Sequence, residues 1–135
     1  MSKNYVDIEF DDGTVLRYRK HANGRGLVAH GAKVHADAFV APNAYIEPGA
    51  QVGAGACVGT GAWIESGAIV ATGVHIEPGA HIGRNAHVGE DVRVGVRVHL
   101  GTAAIVLPGT QLPADVTIAP GSKVVPTERG YAVAA

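Results

Sequence analysis

The chain has 135 residues, a length typical of one domain, and its net charge of −1 excludes nucleic-acid binding through a basic surface. It holds 19 glycines and only 5% aromatic residues, yet 47% of its residues are hydrophobic and 17% are charged. Such a chain is too apolar to be disordered, so the composition indicates an ordered repeat protein with a core of Val, Ile and Ala.

Three further features exclude other classes of protein. Cys57 is the single cysteine, so an internal disulfide is excluded. No apolar run follows residues 1–5, which predicts that no signal peptide is present. The apolar stretch at residues 103–107 is far too short to span a bilayer. The sequence therefore predicts a soluble, cytoplasmic protein with no membrane or nucleic-acid partner.

The first predicted element is a β-hairpin over residues 5–20. Apolar and polar residues alternate on both sides of a three-residue loop that ends at Gly13. The alternation places two cross-strand pairs on one face: Ile8 with Leu16 and Val6 with Tyr18. We expect this hairpin to cap the lower end of the domain that follows.

A six-residue repeat begins after the hairpin. An aliphatic residue recurs at every sixth position from Val28 to Val124 without an insertion, and a small residue, mostly alanine, stands two positions earlier. Three positions after each aliphatic residue comes Gly, Asn or Asp in fourteen of seventeen cases, and these types accept a positive φ. Each period is therefore predicted to be a short strand followed by a tight turn, with three periods in each coil of a stacked prism.

This pattern resembles that of the hexapeptide-repeat family, whose members form left-handed parallel β-helices. The resemblance covers residues 26–127. It implies an all-β fold, a left-handed parallel β-helix of about five to six coils with an N-terminal β-hairpin cap, and a parallel homotrimer. The implied domains are a cap over residues 1–25, the β-helix over residues 26–127 and a short C-terminal tail over residues 128–135.

One outward face of the predicted prism combines aromatic, acidic and histidine side chains. We identify six of them as ligand-binding or interface residues: Tyr45, Glu47, Trp63, Glu65, His81 and His99. Glu47 and Glu65 stack one coil apart, which is unfavourable unless a cation or another chain compensates their charge. Gly83 and Gly101 are expected to leave space beside the two histidines. A subunit interface and a small-molecule groove are both open interpretations.

The second outward face suggests self-association, and the third carries the single cysteine. The second face carries Ile69, Ile105 and Leu107, which would be exposed on a monomer. The third face carries Cys57, which we interpret as a small wall residue because no base stands beside it in the sequence.

The histidines allow a metal site, but only between subunits. His75, His81 and His87 lie at one height on three different faces, so they cannot share a metal within one chain. In the trimer that the resemblance implies, His81 of one chain can meet His87 or His75 of the next at that height, with His99 one coil above. Three histidines and an open position are the ligand set of a catalytic zinc. Solvated or stacked histidines remain the alternative.

Two enzyme classes within the repeat family share fragments with the chain. Residues 38–44 are similar to the opening coil of gamma-class carbonic anhydrases, and His30 and His35 have the spacing of two of their zinc ligands. Residues 28–31 resemble a segment of hexapeptide acyltransferases that carries a catalytic histidine at a corner. That resemblance implies His30 as a general base that deprotonates an amine or hydroxyl attacking a coenzyme A thioester.

Three functions therefore remain open from the sequence. The first is an acyltransferase working at an intersubunit cleft, and the second is a non-catalytic trimeric scaffold or ligand-binding protein. The third is a zinc enzyme similar to the gamma-class carbonic anhydrases.

Overall fold

The computed structural model describes residues 5–134, which form strands and turns and contain no helix. Residues 1–4, which belong to the predicted cap and to the start where no signal peptide is expected, and residue 135 of the predicted tail lie outside the described residues. No helix able to cross a membrane occurs over residues 5–134.

The strands are very short, as a six-residue period requires. They are β1 (Tyr5–Glu9), β2 (Val15–Lys20), β3 (Leu27–Ala29), β4 (Lys33–Val34), β5 (Phe39–Val40), β6 (Tyr45–Ile46), β7 (Gln51–Val52), β8 (Cys57–Val58), β9 (Trp63–Ile64), β10 (Ile69–Val70), β11 (His75–Ile76), β12 (His81–Ile82), β13 (His87–Val88), β14 (Arg93–Val94), β15 (His99–Leu100), β16 (Ile105–Val106), β17 (Gln111–Leu112), β18 (Thr117–Ile118), β19 (Lys123–Thr127) and β20 (Gly130–Val133).

Three sheets form the walls of the β-helix, because each strand from β3 to β16 pairs in parallel with the strand three further along the chain. We call them face A (order β1-β2-β3-β6-β9-β12-β15-β18), face B (β20-β19-β16-β13-β10-β7-β4) and face C (β17-β14-β11-β8-β5). Trp63 lies opposite His81, so one coil takes eighteen residues. The predicted fold class is confirmed: an all-β, left-handed parallel β-helix of about five coils with a hairpin at its N-terminal end.

The core consists of the repeat's aliphatic residues and alanines. Ile46, Ile64 and Ile82 form one stacked column on face A and are fully buried. Full burial of such a side chain stabilises the fold by about 1.5–3 kcal/mol. Val34 is the exception at the lower end, where it is only partly buried because its strand, β4, is the edge of face B.

At most corners, the residue three positions after the aliphatic residue has the positive φ that the repeat predicts. Glycine, asparagine and aspartate take positive φ there, as at Gly49 (82°) and Asn43 (66°). Ala103 has the same conformation (61°), although its Cβ makes it unfavourable. Its N–H donates to the carbonyl oxygen of Arg84 in the coil below at 2.8 Å. Hydrogen bonding between coils therefore determines the conformation of the turn. The residue type changes only the free energy that this conformation costs.

Gly83 and Gly101 have a different role from the one that the sequence suggests. A Cβ added at Gly83 would lie 2.5 Å from the carbonyl oxygen of Leu100, and one at Gly101 would lie 2.5 Å from the backbone nitrogen of Pro120. These glycines are therefore needed where the next coil passes close by, not to leave space beside His81 and His99.

The N-terminal hairpin has the predicted register, with Val6 opposite Tyr18 and Ile8 opposite Leu16. Strand β2 then pairs antiparallel with β3, so the hairpin extends face A. The segment at residues 21–26 covers the lower edge of face C instead, where the N–H of Gly26 donates to the carbonyl oxygen of Val40 at 2.8 Å.

The C-terminal end differs from the short tail that we predict over residues 128–135. Strand β20 turns back and pairs antiparallel with β19, with Thr127 opposite Gly130. Within the predicted tail, residues 130–133 are therefore the last strand of face B, on the edge opposite β4.

Candidate functional site on face A

The register of face A brings the six predicted ligand-binding or interface residues together. Tyr45, Trp63 and His81 occupy equivalent positions in successive coils, and His99 continues the column. The rings of Trp63 and His81 are stacked, with centroids 4.5 Å apart and planes at 6°. The rings of His81 and His99 are 4.3 Å apart and tilted by 59°. The result is a ladder of π-systems from Trp63 through His81 to His99 along the outside of the prism.

Glu65 and His81 form a partly buried pair within this ladder. Glu65 Oε2 lies 2.6 Å from His81 Nε2, and the two side chains are 24% and 22% exposed. A carboxylate on one ring nitrogen fixes the orientation of an imidazole and stabilises its protonated form. When His81 is neutral and donates through Nε2, its Nδ1 carries the lone pair and is able to accept a proton. Glu65 therefore has a partner within the same chain, and that partner is His81.

The second carboxylate, Glu47, is held by a tyrosine from the hairpin. The Tyr18 hydroxyl donates to Glu47 Oε1 at 2.9 Å and also lies 3.0 Å from Oε2. The Tyr18 ring is almost fully buried and meets Tyr45 edge-on, with centroids 5.8 Å apart. Burial, followed by the bond to Glu47, raises the pKa of Tyr18 far above its usual range. The hydroxyl therefore remains a donor at neutral pH.

Burial also sets the protonation of Glu47. Loss of hydration raises the pKa of this carboxyl, and the nearby charge of Glu65 acts in the same direction. Hydrogen bonding by the Tyr18 hydroxyl and the Trp63 indole opposes that rise. The surroundings of Glu47 therefore disfavour its charged form.

Glu47→Gln is consequently expected to raise the midpoint of thermal unfolding at neutral pH. Because the pKa of Glu47 is higher in the folded than in the unfolded protein, its contribution favours folding at low pH and is lost as the pH rises through the folded value. The amide keeps an acceptor for Tyr18 and carries no charge. The gain should therefore disappear on acidification, in thermal unfolding scans between about pH 3 and about pH 7. The exposed Glu90→Gln variant serves as the control, and a lower midpoint for Glu47→Gln at neutral pH would contradict the expectation.

A groove lies between the hairpin and face A, with a volume of about 290 Å³. We call it the aromatic groove, and its lining residues are Ile8, Phe10, Tyr18, Tyr45, Glu47 and Trp63. Concave, mostly apolar surfaces with one placed polar group are typical of small-molecule sites. Sequence reasoning missed Ile8, Phe10 and Tyr18 as parts of this site, because the hairpin alternation predicts their strand and not where the strand docks.

His30, the predicted general base, lies apart from these residues. It is exposed at the corner that follows β3, and its backbone N–H donates to the carbonyl oxygen of Arg17 at 2.9 Å. It lines a separate cavity of about 270 Å³ with Tyr5, Arg17 and Arg19. No hydrogen bond to its imidazole is present among residues 5–134, so no carboxylate orients the ring as Glu65 orients His81. The catalytic role of His30 stays a prediction.

The predicted zinc ligands are only partly brought together. His81 and His99 are neighbours, whereas His87 lies on face B between Ile69 and Ile105. His35, of the second predicted pair, lies 2.8 Å from Asp37 through its Nδ1. The described part of the chain holds no group of three His, Cys, Asp or Glu side chains placed to bind a metal. A site that needs a partner subunit remains a prediction, and the structure gives zinc no support.

Comparisons with known proteins agree with this architecture. The family model described as "Bacterial transferase hexapeptide (six repeats)" matches residues 31–66. A comparison with curated proteins finds no match. Together, the unbroken repeat, the coiled parallel sheets and the family match identify the chain as a hexapeptide-repeat β-helix, which confirms the resemblance.

Several solved structures share the fold. A mutant of perosamine N-acetyltransferase from Caulobacter crescentus, in complex with CoA and GDP-perosamine, has a TM-score of 0.70 and 21% identity, and the match covers 80% of this chain and 55% of that chain. The acetyltransferase domain of PglB from Neisseria gonorrhoeae has a TM-score of 0.60 and 27% identity over 73% of this chain and 53% of that chain. The present chain therefore spans about half the length of these two structures.

Proposed function

We propose that the chain is an acyltransferase that moves an acyl group from a coenzyme A thioester to an amine or hydroxyl of a small molecule. The observation that carries the proposal is the Glu65–His81 pair, 2.6 Å apart and only about a quarter exposed on the outer wall of the prism. The acetyltransferase domain of PglB, 27% identical to this chain, supports the same reaction class. The perosamine N-acetyltransferase structure, which contains CoA, is consistent with a thioester donor.

The proposed chemistry needs one proton acceptor and one positioned ring. His81 Nδ1 takes the proton from the acceptor's N–H or O–H as that atom attacks the thioester carbonyl. The carbon–sulfur bond then breaks, the acyl group stays on the acceptor, and the imidazolium returns its proton to the departing thiolate. Glu65 stabilises the imidazolium while it exists, and the stacked Trp63 restricts the rotation of the ring.

His81→Ala is expected to lower kcat/KM for acyl transfer by about 10²- to 10⁴-fold, the usual contribution of a general base. Glu65→Gln should lower it less, because the imidazole remains but loses its counter-charge. The measurement is release of free thiol from acetyl coenzyme A with a panel of amines and sugar nucleotides as acceptors. His75→Ala, which removes an exposed histidine on face C, is the matched control.

Two outcomes would contradict this assignment. Loss of activity in His30→Ala with full activity in His81→Ala would transfer the role of general base to His30. Absence of transfer with every acceptor, in a stable trimer, would favour the non-catalytic scaffold.

A homotrimer is part of the proposal. Ile69, His87 and Ile105 stack on face B, and Ile105 is 43% exposed, so a partner that covers this strip would remove apolar surface from water. Light scattering measures the number of subunits directly. The intersubunit zinc site and the cytoplasmic location stay predictions.

A further inference from the structure

The aromatic groove collects an unusual share of the chain's aromatic residues. The sequence has one tryptophan, four tyrosines and two phenylalanines. The tryptophan, two of the tyrosines and one of the phenylalanines line this single groove: Trp63, Tyr18, Tyr45 and Phe10. Trp63 and Phe10 remain 45% and 42% exposed, so they are not there to fill the core. Aromatic rings left partly exposed around one cavity point to a ligand that interacts with π-systems.

The groove also contains an anion without a cationic partner from the chain. Glu47 is the one charged side chain among the described residues that line it. The ion pairs found within residues 5–134 do not include Glu47, whose hydrogen-bond partners are two neutral donors, the Tyr18 hydroxyl and the Trp63 indole. Glu65, one coil above, already has His81 as its partner. The remaining negative charge is therefore directed to the cavity and not to a basic side chain.

Keeping Glu47 in this place has a cost for the fold. Its carboxylate is half-buried, and burial disfavours the charged form. Residues that lower stability in this way are concentrated at functional sites. An uncharged side chain would satisfy Tyr18 equally well, so the charge itself calls for an explanation.

We propose that the aromatic groove binds the ammonium group of a small organic cation, with the faces of Trp63, Tyr45 and Phe10 around it and Glu47 as its counter-charge. Cations over aromatic faces are attracted by the ring quadrupole, most strongly when they are desolvated. A metal ion would need several oxygen ligands, whereas the groove offers one carboxylate. Its volume of about 290 Å³ matches a head group with a short chain attached.

The inference that the ammonium belongs to the acceptor substrate rests on the proposed acyltransferase function. The inference that the groove binds an ammonium group is independent of that function. The ammonium would be the recognised end of the acceptor, separate from the amine or hydroxyl that is acylated. Trp63 connects the two regions, because it lines the groove and stacks on His81.

The single tryptophan makes the test direct, since all indole emission from the chain comes from the groove. The full chain is titrated with choline and, separately, with 3,3-dimethyl-1-butanol, which has the same shape without the charge. We expect choline to quench or shift the emission of Trp63, and the neutral alcohol to bind at least about tenfold more weakly. Calorimetry of the same titrations gives an independent affinity.

Two substitutions locate the site. Glu47→Gln is expected to weaken choline binding at least about tenfold while raising thermal stability, so the loss cannot come from unfolding. Phe10→Leu should weaken binding several-fold, and Glu90→Gln on face B's side of the molecule should leave it unchanged. Binding is measured without any thioester, so its failure is separable from a failure of acyl transfer.

Three results would overturn the inference. Equal affinity for choline and the neutral alcohol would show that the groove recognises apolar shape alone. Choline binding that is unchanged in Glu47→Gln would place the cation elsewhere. Absence of binding, with Trp63 emission that depends on protein concentration, would show that a second copy of the chain occupies the groove.

Discussion

Ile64→Ala is expected to lower the free energy of unfolding by about 3–4 kcal/mol. Ile64 is fully buried in the middle of the face A column, between Ile46 and Ile82. The neighbouring coils are tied to it by backbone hydrogen bonds, for example from the N–H of Trp63 to the carbonyl oxygen of Ala80 at 2.9 Å. They cannot collapse into the space left by the missing atoms, so a cavity should remain.

The matched control is Ile105→Ala, which removes the same atoms from an outward position. Ile105 is 43% exposed on face B, so its loss should cost less than about 1 kcal/mol in the isolated chain. Denaturant unfolding of both variants at several protein concentrations measures the difference and detects any contribution from association. Similar costs for the two variants at low concentration would contradict the assignment of inward and outward columns.

Gly101→Ala is expected to cost about 2–3 kcal/mol, although it adds only one methyl group. The new Cβ would lie 2.5 Å from the backbone nitrogen of Pro120 and 2.8 Å from the carbonyl oxygen of Ile118. Both atoms belong to the next coil, which cannot move away without breaking the hydrogen bond from the N–H of Gly101 to Ile118, 2.8 Å long. The strain has no flexible side chain to absorb it.

Gly109→Ala separates this effect from the ordinary cost of positive φ. Gly109 has a φ of 78°, but an added Cβ would meet no atom within 4 Å. Its replacement should cost about 1 kcal/mol, for the left-handed conformation alone. Equilibrium unfolding that ranks Gly109→Ala as the more damaging variant would show that coil contact is not the dominant constraint at Gly101.

The coil architecture follows from the sequence because one periodicity determines both burial and pairing. A residue at every sixth position has to point inward if the chain turns at constant intervals, and the hairpin register follows from its alternation around Gly13. The corners were less predictable at single residues. Asp37 stands at a corner, three positions after Val34, but does not have a positive φ. Its carboxylate instead accepts a hydrogen bond from the N–H of Gly55 at 2.9 Å.

The contacts of the site could not be derived in the same way. The sequence places Glu65 and His81 in adjacent columns, but their bond depends on side-chain rotamers across sixteen residues. The bond between Tyr18 and Glu47 crosses twenty-nine residues and depends on how the hairpin docks. Strand β20 was missed because it lies beyond the last repeat, where four residues that begin with Gly130 carry no periodic signal.

The coil length has a consequence for how this chain tolerates insertions and deletions. Since one coil takes eighteen residues, removing six between Trp63 and His81 would keep every aliphatic residue inward yet move all later columns to a different face. The core would survive such an event, while His81 and His99 would no longer follow Trp63. Only gains or losses of a whole coil preserve both the packing and the surface ladder. Chain length is therefore constrained at two periods: six residues for the packing of the core and eighteen residues for the surface ladder.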